Sequence, residues 1–274
     1  MCRTLFNIGP IGVHSYGLML AIAFFAGLAY IKWRSKKERL PFDQMLNVAY
    51  VLIFAGIIGA RLGYVVLHLS DFADNPLSAI NPFHQGQFGI SGLNLYGGVI
   101  LALIASLLYI RIKKLPMMAV FDLFAPTVGI GIGIGRIGCF LNGCCFGTPT
   151  SAPWGIVFPK GSIPDSVFGQ QAIHPAQLYS SAYGFAIFFF LHFLLKRKRF
   201  DGQVLAVYLM IEAVFRHVIE YFRYYETQMK VSFLGMEPTW NQVASVVLFL
   251  IGLTLYFVVP RTLYREMQPP EPEA

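Results

Sequence analysis

Residues 120–147 read VFDLFAPTVGIGIGIGRIGCFLNGCCFG. Up to Gly135 the only charge in this run is Asp122. About 20 predominantly apolar residues are enough to span a bilayer as a helix. The repeated glycines let such a helix pack closely on its neighbours, and Pro126 is expected to bend it. Arg136 then stands at the edge of the run, followed by Cys139, Asn142, Cys144 and Cys145 among further glycines. An ionisable group at that depth is costly and normally faces a cavity or a partner. The stretch therefore reads as a membrane-spanning helix that ends in a functional loop.

The rest of the chain agrees. Of 274 residues, 56% are hydrophobic and 13% charged, with a mean hydropathy of +0.59. Soluble domains carry about 25% charged residues, so the composition, with 25 Phe and 14 Tyr, points to a polytopic membrane protein. The N-terminal apolar stretch lacks a small-x-small cleavage pattern and ends in Trp33 and a basic cluster, so it reads as a retained span. Cys2 has no apolar region before it and is not a lipidated signal-peptide cysteine.

Seven spans are expected, at about residues 13–33, 45–68, 95–111, 117–138, 175–195, 202–222 and 239–260. The basic clusters KWRSKKER, RIKK and KRKR follow the first, third and fifth, and Arg261 and Arg265 follow the seventh. Together they hold 14 of the 21 Lys and Arg residues. The positive-inside rule puts those ends in the cytoplasm, hence the N-terminus out and the C-terminus in. The net charge of +7 thus serves orientation, and no nucleic acid partner is expected. The fold class is all-α and polytopic, a single integral membrane domain over residues 1–274. Segments 69–94 and 148–174 are expected to form a small outer cap, and residues 267–274 a disordered tail.

Arg61, Arg136 and Arg216 fall within or at the outer ends of the second, fourth and sixth spans, which share one side of the membrane. On the sixth, Arg216, Glu220 and Arg223 are spaced by four and three and share a helical face. That face reads as an anion site in which Glu220 holds an arginine, or as a snorkelling pair at a boundary. Arg61 and Tyr64 share a face of the second span. A guanidinium matches phosphate oxygens bidentately, and the abundant anion at this depth is a phospholipid headgroup; helix packing is the alternative. His14 and Tyr16 open the first span, and Tyr96 with Gly97 and Gly98 opens the third. These suit interfacial anchoring or a site. His174 and Gln177 begin the fifth.

Cys139, Cys144 and Cys145 give a C-x4-CC spacing. Structural zinc wants four ligands at C-x2–4-C spacings, and two adjacent cysteines do not readily serve one ion. No metal and no cofactor is expected. A disulfide from Cys139 to Cys144 or Cys145 on an oxidising face, and packed free thiols, both remain open. There is no nucleophile elbow, P-loop or H-E-x-x-H.

Taken together, the pattern resembles bacterial prolipoprotein diacylglyceryl transferases. The family signature reads approximately G-R-x-G-N-F-x-N-G-E-x-x-G and stands here as GRIGCFLNGCCFG. VHSYGLM, ARLGYVV, YGGV, HPAQLY and FRHVIEYFR match other family segments in order, so the resemblance covers nearly the whole chain. It implies a seven-span enzyme of the cytoplasmic membrane with its site toward the periplasm. Such an enzyme moves the diacylglyceryl group of phosphatidylglycerol to the lipobox cysteine of a preprolipoprotein signal peptide and releases glycerol 1-phosphate. It also implies a monomer whose partners are these substrates and membrane lipids. Arg136 and Arg216 match the family's essential arginines; Tyr16, Gly147, Glu220 and Arg223 match further important positions; Arg61 falls in a shared segment. The expected catalytic residues are Arg136, Arg216, Tyr96 and Tyr16. Substrate binding is expected of Arg136, Arg61, Asn142, Gly147, Glu220, Arg223, His14, Gly97 and Gly98.

The chain departs from the family where the site is expected. Tyr96 stands in place of a His assigned as base, and an ordinary tyrosine ionises near pH 10. Cys139 replaces the signature Asn, Cys144 and Cys145 replace its acidic residue and the neighbour, and Ser180 stands where Glu is usual. A transferase with another acceptor and a non-catalytic lipid-binding membrane protein are the alternatives these changes raise.

Overall fold

A helix stands at each of the seven apolar runs. The computed structural model describes residues 4–8, 11–72, 83–84, 87–88, 94–225 and 238–266. In chain order these form β1 (Thr4–Ile8), β2 (Ile11–His14), α1 (Ser15–Ser35), α2 (Phe42–Leu67), α3 (Leu69–Phe72), β3 (Phe83–His84), β4 (Gln87–Phe88), α4 (Leu95–Ile112) and α5 (Met117–Asn142). They continue with β5 (Ile156–Val157), α6 (Ile163–Phe168), β6 (Ala172–Ile173), α7 (Ala176–Arg197), α8 (Gln203–Glu220) and α9 (Trp240–Glu266).

Among the described residues, Ser15–Ser35, Phe42–Leu67, Met117–Asn142, Ala176–Arg197 and Trp240–Pro260 are long and apolar enough to cross a membrane, and the apolar helix Tyr96–Ile112 is shorter. The chain is thus a helical, polytopic membrane protein. Its outward faces agree: Phe54, Ile58 and Leu62, one turn apart on α2, are all exposed, as suits helices solvated by lipid tails rather than water. Most of segment 69–94 and the tail from residue 267 lie outside the described residues.

The chain divides into two compact units, Phe6–Val13 with Ile31–Val120, and Met1–Leu5 with His14–Tyr30 and Phe121–Ala274. In the first of these, α2 and α4 run antiparallel in glycine-mediated contact. A Cβ on Gly59 would stand 2.5 Å from the Gly97 carbonyl oxygen and 2.6 Å from Leu101 Cβ, and one on Gly98 would stand 2.9 Å from the Gly56 oxygen. Without a hydrophobic drive between helices in lipid, such close approach is what holds them. Asn94 caps α4, its side chain accepting from the Gly97 N–H at 2.9 Å. The Tyr109 hydroxyl donates to Gln44 at 2.8 Å.

In the other unit the glycine-rich α5 packs on α7. A Cβ on Gly129 would stand 2.8 Å from the Phe188 nitrogen, and the Ser181 hydroxyl donates to the Gly133 carbonyl at 2.7 Å. Tyr183, Ile187, Leu191 and Leu195 of α7 form a core with Val204 and Ile219 of α8. The buried Asp122 accepts from the Gly202 and Leu205 N–H groups at 2.8 and 2.9 Å. Its carboxylate thereby satisfies orphan donors at the start of α8 and meets the positive end of that helix. Between α5 and α7 the chain folds into short pieces. β5 and β6 pair antiparallel, Ile156 opposite Ile173 and Val157 opposite Ala172. Phe146, Phe158 and Ile173 make a small core under them.

Candidate functional site

The spacing of Arg216, Glu220 and Arg223 has a direct structural outcome. Four residues apart on α8, the Arg216 Nη2 and Glu220 Oε1 atoms are 2.9 Å apart. The Glu220 side chain is fully buried, a position a carboxylate tolerates only when paired and hydrogen-bonded. It meets that condition: Oε1 also accepts from the Tyr225 hydroxyl at 2.8 Å, and Oε2 from the Thr239 hydroxyl at 2.9 Å. Tyr225 in turn accepts from Arg216 at 3.2 Å and from the Asn241 amide at 3.3 Å. Burial pushes the Tyr225 phenol up, against the lowering charges of Arg223 and Arg216, so it stays protonated and donates to Glu220.

One side of the Arg216 fork is thereby fixed. Its other amine, Nη1, is buried and has no hydrogen-bond partner among the described residues. A charged donor left in this state is costly and is suited to an anion that arrives from outside. The Arg223 Nε is unpartnered in the same way, while its guanidinium lies 4.6 Å from the Tyr225 ring centroid.

Arg136 projects from α5 into the same surroundings. It lies within electrostatic range of Cys139, Cys145, Tyr183 and Tyr225, and its charge reaches Tyr16. Arg136 and Arg216 both act on Tyr183 and on the largely buried Glu212. No hydrogen bond or ion pair among the described residues occupies the Arg136 guanidinium. Tyr16 lies against α5, where a Cβ on Gly138 would stand 3.2 Å from its ring. Beside these groups is an open cleft of about 380 Å³, lined by Trp154, Tyr179, Tyr183, Phe215, Val218 and Phe222 among others. Tyr183 and Phe215 stack with ring centroids 5.2 Å apart. Tyr183, on which both Arg136 and Arg216 act, is among the residues that line this apolar groove.

The loop after α5 is held from both sides. Gly147 donates to the His174 carbonyl at 3.1 Å, Thr148 to Phe222 at 3.0 Å, and Tyr224 to Phe146 at 3.1 Å. The Gln177 side chain donates to the Cys144 carbonyl at 2.9 Å. Asn142, the last residue of α5, lies beside the Cys144 thiol.

The three cysteines that the sequence crowds together also meet in space: the Sγ atoms of Cys139, Cys144 and Cys145 lie within 4.8 Å of one another. The cause is backbone conformation: Gly143 (φ 76) and Cys145 (φ 59) are both left-handed, so the chain doubles back on the end of α5. All three are free thiols. Hydrogen bonds from Cys139 and Cys144, with Arg223 and Arg136 nearby, hold the Cys145 thiol well below the ordinary range.

Tyr16, Arg136, Asn142, Gly147, Arg216, Glu220 and Arg223 all belong to this unit, as does the exposed His14. Arg61, Tyr96, Gly97 and Gly98 belong to the other. There the Arg61 guanidinium lies 5.7 and 5.4 Å from the Tyr64 and Phe72 ring centroids. Tyr96 is exposed, and Gly97 and Gly98 face α2. Glu212, Tyr225, Thr239 and Asn241 escaped the sequence reading. Glu212 was within reach of it, four residues before Arg216 on the same helical face; nothing local marks Thr239 or Asn241.

Comparison with known proteins gives a consistent picture. Residues 3–258 match the family model described as prolipoprotein diacylglyceryl transferase. The phosphatidylglycerol–prolipoprotein diacylglyceryl transferase of Campylobacter hominis is 35% identical over 258 residues, covering 92% of this chain and 88% of the relative. The enzyme of the same name from Campylobacter curvus is 34% identical over 263 residues, covering 93% of each. That from Clostridium tetani is 32% identical over 258 residues, covering 93% of this chain and 97% of the relative.

Proposed function

This chain belongs to the prolipoprotein diacylglyceryl transferase family, and from that membership we propose how its residues carry out the transfer. It is a transferase that moves the diacylglyceryl group of phosphatidylglycerol to a prolipoprotein. The acceptor is the lipobox cysteine of the signal peptide, whose thiolate is the competent nucleophile. Its sulfur attacks the glycerol carbon that bears the phosphate. The C–S bond forms as the C–O bond breaks, and glycerol 1-phosphate leaves with the electron pair and takes up a proton.

Arg216 and Arg136 grip the phosphate oxygens, where negative charge grows in the transition state. Glu220 and Tyr225 hold Arg216 in place before the lipid arrives. Tyr16, Asn142, Arg223 and the Gly147 loop shape the wall, and the aromatic cleft takes an acyl chain and excludes the water that would hydrolyse the lipid. The observation that carries this assignment is the buried Nη1 of Arg216, which has no partner among the described residues. Arg61, Tyr96, Gly97, Gly98 and His14 keep the substrate contacts that their family positions imply.

In the membrane we place seven spans with the N-terminus out, the C-terminus in, and the 148–174 segment on the outer, periplasmic side of the cytoplasmic membrane, because the basic clusters follow the odd-numbered spans. The protein acts as a monomer.

The test is purified protein with phosphatidylglycerol and paired peptides carrying Cys or Ser at the acceptor position. A mass gain of one diacylglyceryl group on the Cys peptide alone, with glycerol phosphate released, is the expected result. No product from folded, lipid-loaded protein overturns the assignment. Tyr96→Phe removes one hydroxyl and keeps the ring. A fall of about tenfold in turnover is expected, the worth of one hydrogen bond to substrate; unchanged turnover removes Tyr96 from the site.

A further inference from the structure

Three sulfurs that gather at the end of one helix invite the question of what they hold. A tetrahedral zinc ion with Zn–S bonds of about 2.3 Å keeps neighbouring sulfurs about 3.8 Å apart. Cys139, Cys144 and Cys145 lie within 4.8 Å of one another before any ion draws them in. Their loop is preset: Gly143 and Cys145 are left-handed, and Gln177 pins the Cys144 carbonyl. Cys139 is buried, while Cys144 and Cys145 are partly exposed, so the cluster is reached through these two. A disulfide would use two of these thiols and leave the third idle.

The charge balance also suits a metal. Three thiolates and Zn²⁺ carry one net negative charge, and a fourth thiolate makes two. Arg136 acts on Cys139 and Cys145, and Arg223 on Cys145, so two cations stand by to offset it. Sites with three protein ligands and one open position are the catalytic kind, whereas structural sites are closed by four.

We propose that Cys139, Cys144 and Cys145 form a zinc site whose open fourth position takes the thiol of the acceptor cysteine. The inference rests on the transferase assignment and deepens it, since it names how the acceptor is bound and activated. On coordination the acceptor thiol gives its proton to water, because the ligand is the thiolate. The bound sulfur attacks the glycerol carbon, the C–S bond forms, and the C–O bond breaks. The phosphate departs with the electron pair and takes up a proton. The sulfur is then a neutral thioether, a weaker zinc ligand, and the product dissociates. Zinc keeps its charge, and no electrons are exchanged with any other reactant. Arg136 and Arg216 meanwhile hold the phosphate, so nucleophile and leaving group are bound by different groups.

The test uses the full-length protein in detergent. Metal content by mass spectrometry is expected to show one zinc per chain, lost in Cys139→Ser. Chelation of the unaltered protein is expected to lower transfer at least tenfold, with recovery on adding zinc, so the outcome does not depend on a variant folding. In the cobalt-substituted protein, a lipobox Cys peptide is expected to raise the thiolate charge-transfer band by about one third, four sulfurs in place of three; the Ser peptide is expected to leave it unchanged. Full transfer by metal-free protein overturns the zinc site and leaves the transferase standing. So does a disulfide between two of the cysteines in active protein, or a copper(I) ion closed by the three thiols that takes no fourth. One zinc and a peptide-dependent band without any transfer from phosphatidylglycerol supports the site and overturns the transferase assignment instead.

Discussion

Arg136→Ala is expected to lower transfer by about 10²–10³-fold, the cost of removing a preplaced donor from developing negative charge, while leaving the protein's melting temperature and membrane insertion unchanged. The separation of the two effects follows from its surroundings. No hydrogen bond or ion pair among the described residues engages the guanidinium, so none among them is broken when it goes. Arg216→Ala is expected to lose activity to a similar extent but to pay in stability as well. Its removal leaves the buried Glu220 carboxylate with Tyr225 and Thr239 alone, and breaking a buried ion pair costs about 3–5 kcal/mol. Arg216→Lys separates charge from geometry: an ammonium is a point charge without the planar fork. It is expected to recover part of the stability and little of the rate. Turnover within threefold of wild type in Arg136→Ala, measured on the same transfer assay, would sink the phosphate-clamp role.

Gly147→Ala is expected to disrupt the loop that joins the two halves of the site. A Cβ there would stand 2.5 Å from the His174 carbonyl oxygen and 2.6 Å from that of Phe222. Both are backbone atoms in hydrogen-bonded pairs, so neither can swing aside as a flexible side chain would. Inserting one methyl group into such a contact costs about 1–3 kcal/mol. The strands would part, shifting Arg223, which pairs with Gly147 across an isolated bridge. A lower melting temperature and at least tenfold slower transfer are the expected readouts. Gly131→Ala is the matched control, since a Cβ there meets nothing within 4 Å and an alanine is the better helix former by about 1 kcal/mol. Equal melting temperatures for the two variants would remove the steric account of Gly147.

Much of the architecture was legible because its causes are local. Each of the seven apolar runs coincides with a helix, since the cost of burying an unpaired backbone group in lipid forces such runs to close their own hydrogen bonds. Arg216 and Glu220 were readable as a pair because a helix brings residues four apart together. Gly97 and Gly98 show the limit. Their position at the start of α4 reads as part of a site, and nothing local reveals that they also face α2, a partner some forty residues earlier.

The amino-acid sequence by itself determined the helices, the membrane class and the arginine–glutamate face, because hydropathy and helical spacing act over one or two turns. Tertiary structure alone decided who completes that face. Thr239 satisfies Glu220 from the start of α9, 19 residues away. It alone decided that the chain forms two compact units, since lipid-facing and buried surfaces are equally apolar and leave no compositional boundary. It also decided that three cysteines in C-x4-CC spacing converge, because that required a non-glycine residue, Cys145, in the left-handed region. Such a conformation is set by the hydrogen bonds that pin the loop from His174, Gln177 and Phe222, not by preferences of the residues themselves.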